Sequence, residues 1–493
     1  LAPFLGETYA DALAAGHLRL AFDIANARLA IAYHDHRFPI ALADYATVLR
    51  IDNAGPAADA VAERFAQLGA VRSLRTRRDQ AEQARDALRN LAATESGAAQ
   101  ITGALRTLNA QPERLDALMQ RQHWRLARWY TANDEINWRR FFDITSLAGL
   151  RVERTEVFEA THALLFRLYR QGWIDGVRID HVDGLAEPAL YCRQLRRRLL
   201  VEHAGRPASR RVGRPWMIVE KILGSDEPMR TDWGIDGTSG YDFMNQVGAL
   251  LHDAQGEAAL TQGWLEWIGA PASEALFSAT ALPARRQILH EHFAADLDTA
   301  TTALHTLAQQ QRVSYDITWH AIRRALAEVV VHFPVYRTYA NAHGRDAQDA
   351  AIMRAAMAGA ATRLRHVDQA ALQWLDTWMG ANPTGHDRLH QLALRRCQQL
   401  TSPVAAKAVE DTACYRYGRL LSRNEVGADP GEFAISTAAF HHAMQARSHT
   451  WPHAMLTTAT HDHKRGEDVR ARLAVLSERP AQWLAAVHQW RTR

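Results

Sequence analysis

Gly176-Val177-Arg178-Ile179-Asp180-His181-Val182-Asp183-Gly184-Leu185 is a short apolar run that breaks on a carboxylate. It reads as a strand over 176–180, followed by a helical stretch over 189–203 and by a second apolar strand, Trp216-Met217-Ile218-Val219-Glu220, which also ends on an acid. Apolar strands alternating with helices predict a parallel sheet covered on both faces, and hence an α/β fold. Asp180 and Glu220 lie 40 residues apart, which suits one βα unit with a generous loop and points both carboxylates from the same rim. In a (β/α)8 barrel the carboxyl ends of the strands build the active site, and acids placed there are costly unless used.

A third acid, Asp462, follows the apolar stretch Ala454-Met455-Leu456 at what reads as another strand end. Three acids on one rim fit glycosidic chemistry: one carboxylate attacks or stabilises an oxocarbenium-like centre, and another, its pKa raised, protonates the leaving oxygen. The plainer alternative makes Asp180 and Asp462 helix N-caps and Glu220 an ion-pair partner of Lys221 or Arg178. Arg178 lies two residues before Asp180, so on a strand the two side chains share a face. A guanidinium there keeps a carboxylate ionised, although a structural salt bridge has the same spacing.

The 24 histidines include two His-Asp-His triplets, His34-Asp35-His36 and His461-Asp462-His463. On a strand each would offer two imidazoles to a metal, which makes a metal-dependent barrel hydrolase a competing reading. The second triplet runs into Lys464-Arg465, cations unwelcome beside a divalent ion, so no metal and no cofactor is expected. Aromatic residues cluster near these segments, among them Trp129, Tyr130, Trp138, Phe141, Phe142, Tyr241, Phe243, Tyr336 and Tyr339. Such rings can stack on the C–H faces of sugars, though most aromatics in a chain of this size serve the core.

Around this centre the 493 residues divide by composition. Residues 1–50 mix short apolar runs with turn residues and read as a small strand-containing segment. Residues 51–133 are rich in Ala, Leu, Arg, Glu and Gln at helical spacing and read as a helical insertion. Residues 134–245 are the barrel segment with the catalytic strands, 246–400 a second helical insertion, and 401–493 a return to the barrel through 402–407 and 454–460. With 47% hydrophobic and 23% charged residues, disordered and fibrous classes are excluded. The net charge of +4 is spread without a long basic block, so nucleic acid is not an expected partner. Apolar stretches are broken well before about 18 residues, so no membrane span is expected. Three cysteines, Cys192, Cys397 and Cys414, without CxxC spacing favour a reducing compartment, and the expected location is cytoplasmic. The chain opens on Leu1 and stops at Arg493 without cap or linker, and is expected to be a fragment lacking both ends.

The strand motif at 176–185 resembles that of the α-amylase family, glycoside hydrolase family 13. Further blocks are similar, in the same order, to signatures of a glucan-rearranging branch of that family. They are Tyr33-His34-Asp35-His36-Arg37-Phe38-Pro39, residues 135–144, Ile218-Val219-Glu220-Lys221-Ile222-Leu223, Gly237-Thr238-Ser239-Gly240-Tyr241-Asp242-Phe243, Phe333-Pro334-Val335-Tyr336-Arg337-Thr338-Tyr339, residues 409–417, and Thr460-His461-Asp462-His463-Lys464-Arg465-Gly466 with 467–470. Together they cover nearly the whole chain.

The resemblance implies a (β/α)8 TIM-barrel catalytic domain, incomplete here, with large helical insertions. It implies an intramolecular transglucosylation that converts the reducing-end α-1,4 bond of a maltooligosaccharide into an α,α-1,1 bond. Carried over by motif, Asp180 is the nucleophile, Glu220 the general acid and then base, and Asp462 the acid that clamps sugar hydroxyls. Arg178, His181, His461, Tyr336, Arg337 and Lys464 form the substrate-binding set, with Tyr336, Arg337 and Tyr339 helping to enclose the pocket. The reaction would be a retaining double displacement in a site that excludes water. The implied pathway link is a separate trehalohydrolase that releases trehalose. The competing functions are an α-amylase-type hydrolase, the metal-dependent hydrolase and an inactive glucan-binding fragment. Three features depart from the family pattern: the Asp-x-x-x-Asn-His block is absent, Trp138 stands where Tyr is usual, and His463 stands where Thr is common.

Overall fold

The computed structural model describes residues 1–52, 55–211, 213–380 and 388–492. The chain divides into two compact units, Leu1–Trp138 and Arg139–Arg493. In the first, β1 (Ala2–Leu5) pairs with a later strand, while β2 (Arg19–Asp23), β3 (Arg28–Tyr33) and β4 (His36–Pro39) form an antiparallel sheet in that order. Leu29, Ile31 and Tyr33 alternate inward along β3 with Arg28, Ala30 and Ala32, the period that half-buries a strand. Helices Pro56–Gln67, Leu74–Ala92, Glu95–Asn109 and Pro112–Gln120 follow, started by Pro at the first turn or by the side-chain caps of Ser73 and Thr94. They close over Phe65, Leu88, Ile101 and Leu115, and β5 (Leu126–Arg128) returns to pair in parallel with β1.

The second unit begins with the hairpin β6 (Arg140–Phe141) and β7 (Ile144–Ala148). Three parallel strands then lie in the order β10-β9-β8: β8 (Gly176–Ile179), β9 (Trp216–Val219) and β10 (Gly237–Thr238). Val177 is opposite Met217 and Ile179 opposite Val219, and Thr238 is opposite Val219 on the other side. Gly176 lets β8 approach β9, since a Cβ there would come within 2.3 Å of the Trp216 carbonyl oxygen. Helix Thr155–Arg170 leads into β8 and helix Pro188–His203 joins β8 to β9. Their buried Phe158, Phe166, Tyr169, Leu195 and Leu199 pack with Val177, Ile179, Met217 and Val219, the layering of an α/β barrel sector.

A helical mass follows: Phe277–His292, Ala294–Ala308, Trp319–Val331, Ala347–Ala361, Gln369–Gly380 and Arg388–Ala408, around a core that includes Leu304, Leu326, Leu375 and Val404. Here the structure corrects the expected return to the barrel. Residues 402–407 lie inside helix Arg388–Ala408, and 454–460 form neither helix nor strand. The 402–407 run was ambiguous because the helix end is buried on almost every side, which erases the amphipathic period that separates helix from strand. The 454–460 segment touches the edge of the sheet through one bond, Met455 N–H to the Thr238 carbonyl at 3.3 Å. It passes so close to Gly240, whose φ is +96°, that a Cβ there would lie 2.6 Å from the Met455 carbonyl oxygen. Asp462 therefore sits on a turn rather than at a strand end.

Phe158 is fully buried between its helix and the sheet, so Phe158→Ala should destabilise the protein by about 3–5 kcal/mol. Urea unfolding followed by tryptophan fluorescence checks this, and an unshifted midpoint would contradict the packing.

Candidate active site

Asp180 and Glu220 are the first residues beyond the paired ends of β8 and β9. The ladder continues one step into the site: the Glu220 amide donates to the Ile179 carbonyl at 2.8 Å, and the His181 amide donates to Glu220 Oε2 at 2.7 Å. Arg178 reaches both acids from β8, donating to Asp180 Oδ1 at 2.7 Å and lying 3.4 Å from Glu220 Oε2. The two carboxyls lie within hydrogen-bonding reach of each other, so the protonation of one bears on the other. Burial pushes Glu220 up to about 7, and the neighbouring Asp180 carboxyl adds to this. Burial also pushes Asp180 up, but the hydrogen bond from Glu220 and the Arg178 guanidinium outweigh it and hold Asp180 below its ordinary value. Below about pH 7 the pair thus consists of an ionised Asp180, its side chain 57% exposed, beside a largely buried Glu220 that keeps its proton.

Asp462 joins the site through Tyr241. The Tyr241 hydroxyl donates to Asp462 Oδ2 at 2.5 Å and lies 3.1 Å from Thr460 Oγ1, while the phenol is within electrostatic reach of Glu220 and Arg178. Tyr241 opens the helix Tyr241–Leu250 directly after β10, so it marks the next strand end along the sheet. Its sequence signal was that position, three residues beyond Thr238, but the reading credited it only as a possible sugar platform. His461 Nε2 is 3.4 Å from Asp462 Oδ1 with its side chain 70% exposed, which leaves it open to solvent and to a ligand.

His181 stands at φ +43°, an uncommon left-handed conformation for a non-glycine residue, immediately after Asp180. Its ring packs on Phe142 at 4.2 Å and edge-on to Phe141 at 5.3 Å between centroids. A Cβ at Gly184 would meet the ring at 2.3 Å, so glycine makes room for it. Burial pushes the imidazole down to about 4, and the Arg139 guanidinium adds to that, which keeps the ring neutral.

The remaining expected binding residues divide. Tyr336 donates its hydroxyl to Glu410. Burial pushes that carboxyl up to about 7, making it a second acid with a raised pKa, one that carries no role in the sequence motifs. Both line a cavity of about 810 Å³ that also takes in Ile222, Thr238, Asp242 and Arg285. Lys464 Nζ is 3.0 Å from Asp411, which Lys407 also holds at 3.0 Å. Arg337 is almost fully buried, and its guanidinium donates to the carbonyls of Asp183 at 2.8 Å and Leu185 at 2.6 Å, so it braces the loop behind Asp180. Lys221, the residue after Glu220, is likewise buried, 2.8 Å from Glu227 and 3.3 Å from Asp183, which leaves Glu220 to Arg178 and Asp180.

Among the described residues no group of three or more His, Cys, Asp or Glu is gathered in a way that could hold a metal ion. In the second His-Asp-His triplet, His463 is engaged with the backbone, accepting from the Thr460 amide at 2.6 Å. Two carboxyls at adjacent parallel strand ends, braced by one arginine, are the arrangement of an α/β-barrel enzyme that cleaves glycosidic bonds.

No protein-family model matches the chain. Over 376 residues, 74% of its length, it is 37% identical to the protein named maltooligosyl trehalose synthase in Mycobacterium tuberculosis strain CDC 1551 / Oshkosh, covering 43% of that protein. Maltooligosyltrehalose synthase from Arthrobacter ramosus matches 99% of the chain with a TM-score of 0.70 and 28% identity, over 49% of its own length. DSM5389 glycosyltrehalose synthase matches 100% of the chain with a TM-score of 0.67 and 26% identity, over 50% of its own length. The chain belongs to the maltooligosyltrehalose synthase family and spans about half the length of the relatives it matches.

Because Arg178 lowers the pKa of Glu220, Arg178→Met should raise the Glu220 midpoint above about 7. Carboxyl-labelled NMR titration, with Glu220→Gln to assign the signal, reads this; an unmoved or lowered midpoint would contradict the arrangement.

Proposed function

We propose that the protein catalyses intramolecular transglucosylation of maltooligosaccharides, turning the reducing-end α-1,4 bond into an α,α-1,1 bond. The observation that carries this is the hydrogen-bonded pair of an ionised Asp180 and a protonated Glu220. Inverting glycosidases hold their carboxyls roughly 6.5–9.5 Å apart to admit a water, whereas carboxyls close enough to share a proton suit a retaining double displacement. Asp180 attacks the anomeric carbon of the penultimate glucose while Glu220 gives its proton to the glycosidic oxygen, releasing the terminal glucose and leaving a glycosyl-enzyme. The freed glucose turns, and Glu220, now a carboxylate, takes the proton of its anomeric hydroxyl as that oxygen attacks the same carbon and releases Asp180. Two displacements restore the α configuration, and the proton returns to Glu220.

Asp462, fixed by Tyr241, is placed in this reading to hold sugar hydroxyls, and the neutral ring of His181 and the exposed ring of His461 to share that task. Tyr336 and Lys464 belong to the binding surface. The family relationship supports the substrate class, and a trehalohydrolase that consumes the product is the proposed pathway link. Among the described residues no helix is long and apolar enough to cross a membrane, and Cys192, Cys397 and Cys414 are free and buried, which supports a cytoplasmic location. Hydrolysis of the same substrate is a second reading, favoured by the exposure of Asp180 to water.

Incubation of the full-length protein with maltopentaose separates the two. Loss of reducing ends without chain shortening is expected, and release of short reducing sugars would support hydrolysis instead. Because Glu220 must carry its proton into the first step, kcat/KM should fall as pH rises through about 7, and again in acid where Asp180 takes up a proton. A rate flat from pH 6 to 9, measured by reducing-end loss, would count against Glu220 as the acid.

A further inference from the structure

Glu220 is followed by Lys221, whose ammonium is completely buried. Its partners come from both catalytic loops: Asp183, three residues after Asp180, at 3.3 Å, and Glu227, from the loop after β9, at 2.8 Å. Asp183 and Glu227 are 3% and 1% exposed, so the triad is sealed from water. Tyr339 donates to the other Asp183 oxygen and lays its ring 5.3 Å from the ammonium. Burying an ammonium is costly unless several partners hold it, and such a link is stiff because no water can replace either end.

We propose that Lys221 is a positioning residue, tying the loop after β8 to the loop after β9 and thereby setting the separation of Asp180 and Glu220. The two acids are the nearest chain neighbours of the tie: Glu220 precedes Lys221 directly, and Asp180 is separated from Asp183 by two residues. Above the tie the loops are joined on the solvent side by the His181 amide on Glu220 Oε2 at 2.7 Å, so Lys221 adds a second, dry crosslink beneath. Arg337 holds the carbonyls of Asp183 and Leu185, which prevents the β8 loop from sliding along the ammonium. Lys221 touches neither acid and acts through backbone placement. The inference rests on the reading of Asp180 and Glu220 as the reacting pair.

The test uses Lys221→Met, which keeps the stem, and Asp183→Asn, which keeps the shape and a partner for Tyr339, in the full-length protein acting on maltopentaose. Glu220 is faced by Asp180, Arg178, Tyr241 and Tyr336, and neither substitution alters any of these. In both variants kcat should fall on the order of 10²-fold with KM within about threefold, because a shift of about 1 Å between reacting groups costs that much. The basic limb of the kcat/KM profile should move down from about 7, since Glu220 loses the nearby Asp180 that helps raise it. Folding is checked by near-ultraviolet circular dichroism. Folded variants with wild-type kcat and an unmoved limb overturn the proposal, as does failure of both variants to fold, which would make the tie purely structural. Wild-type protein that does not turn over maltopentaose overturns the functional reading, and the positioning role with it.

Discussion

The pairing of β8 with β9 ends one residue before each acid, and this register brings Asp180 and Glu220 face to face. Two carboxyls so placed cannot both ionise cheaply, so the environment must decide which one holds the proton. The hydrogen bond from Glu220 and the Arg178 guanidinium favour the charge on Asp180, whereas burial favours the neutral form of Glu220. A nucleophile and an acid therefore arise from two chemically similar side chains through position alone. A slip of one residue in either strand would turn its acid to the other face of the sheet, away from its partner.

Much of the surrounding structure serves to hold that geometry. The left-handed turn at His181 directs its amide onto Glu220, and Phe141, Phe142 and Gly184 fix the ring above it. Beneath the loops lie Lys221, Asp183, Glu227, Arg337 and Tyr339, a buried polar cluster that an apolar core would replace if stability were the only requirement. Asp462, on a turn without strand support, depends on Tyr241 for its orientation. The helical mass contributes Tyr336 and Glu410, a hydrogen-bonded pair that lines a neighbouring cavity.

Asp180 and Glu220 were legible because short apolar runs ending on acids carry both the strand and the site in the same residues. Arg178 was legible by its spacing of two. Asp462 was placed by its motif, but the strand expected to deliver it is absent, because 454–460 takes only one bond from the sheet. The run at 402–407 was misread since a helix buried all round shows no period. Arg337 entered through its motif, and nothing local in sequence reveals that its guanidinium reaches carbonyls about 150 residues away. Lys221 and Tyr241 were quoted within motifs but left without these roles, since a buried ion pair and a hydroxyl contact across more than 200 residues depend on tertiary folding.

The central claim is that Asp180, kept ionised by Arg178, is the nucleophile whose carboxylate oxygen bonds the anomeric carbon in a retaining reaction. A fluorinated α-glucosyl fluoride, which forms a glycosyl-enzyme quickly and releases it slowly, tests this in the full-length protein by mass spectrometry of the digested adduct. The account predicts one sugar per chain, attached to Asp180 and absent in Asp180→Asn. A label on Glu220, on Asp462 or on a residue elsewhere, or turnover without any covalent adduct, would contradict it.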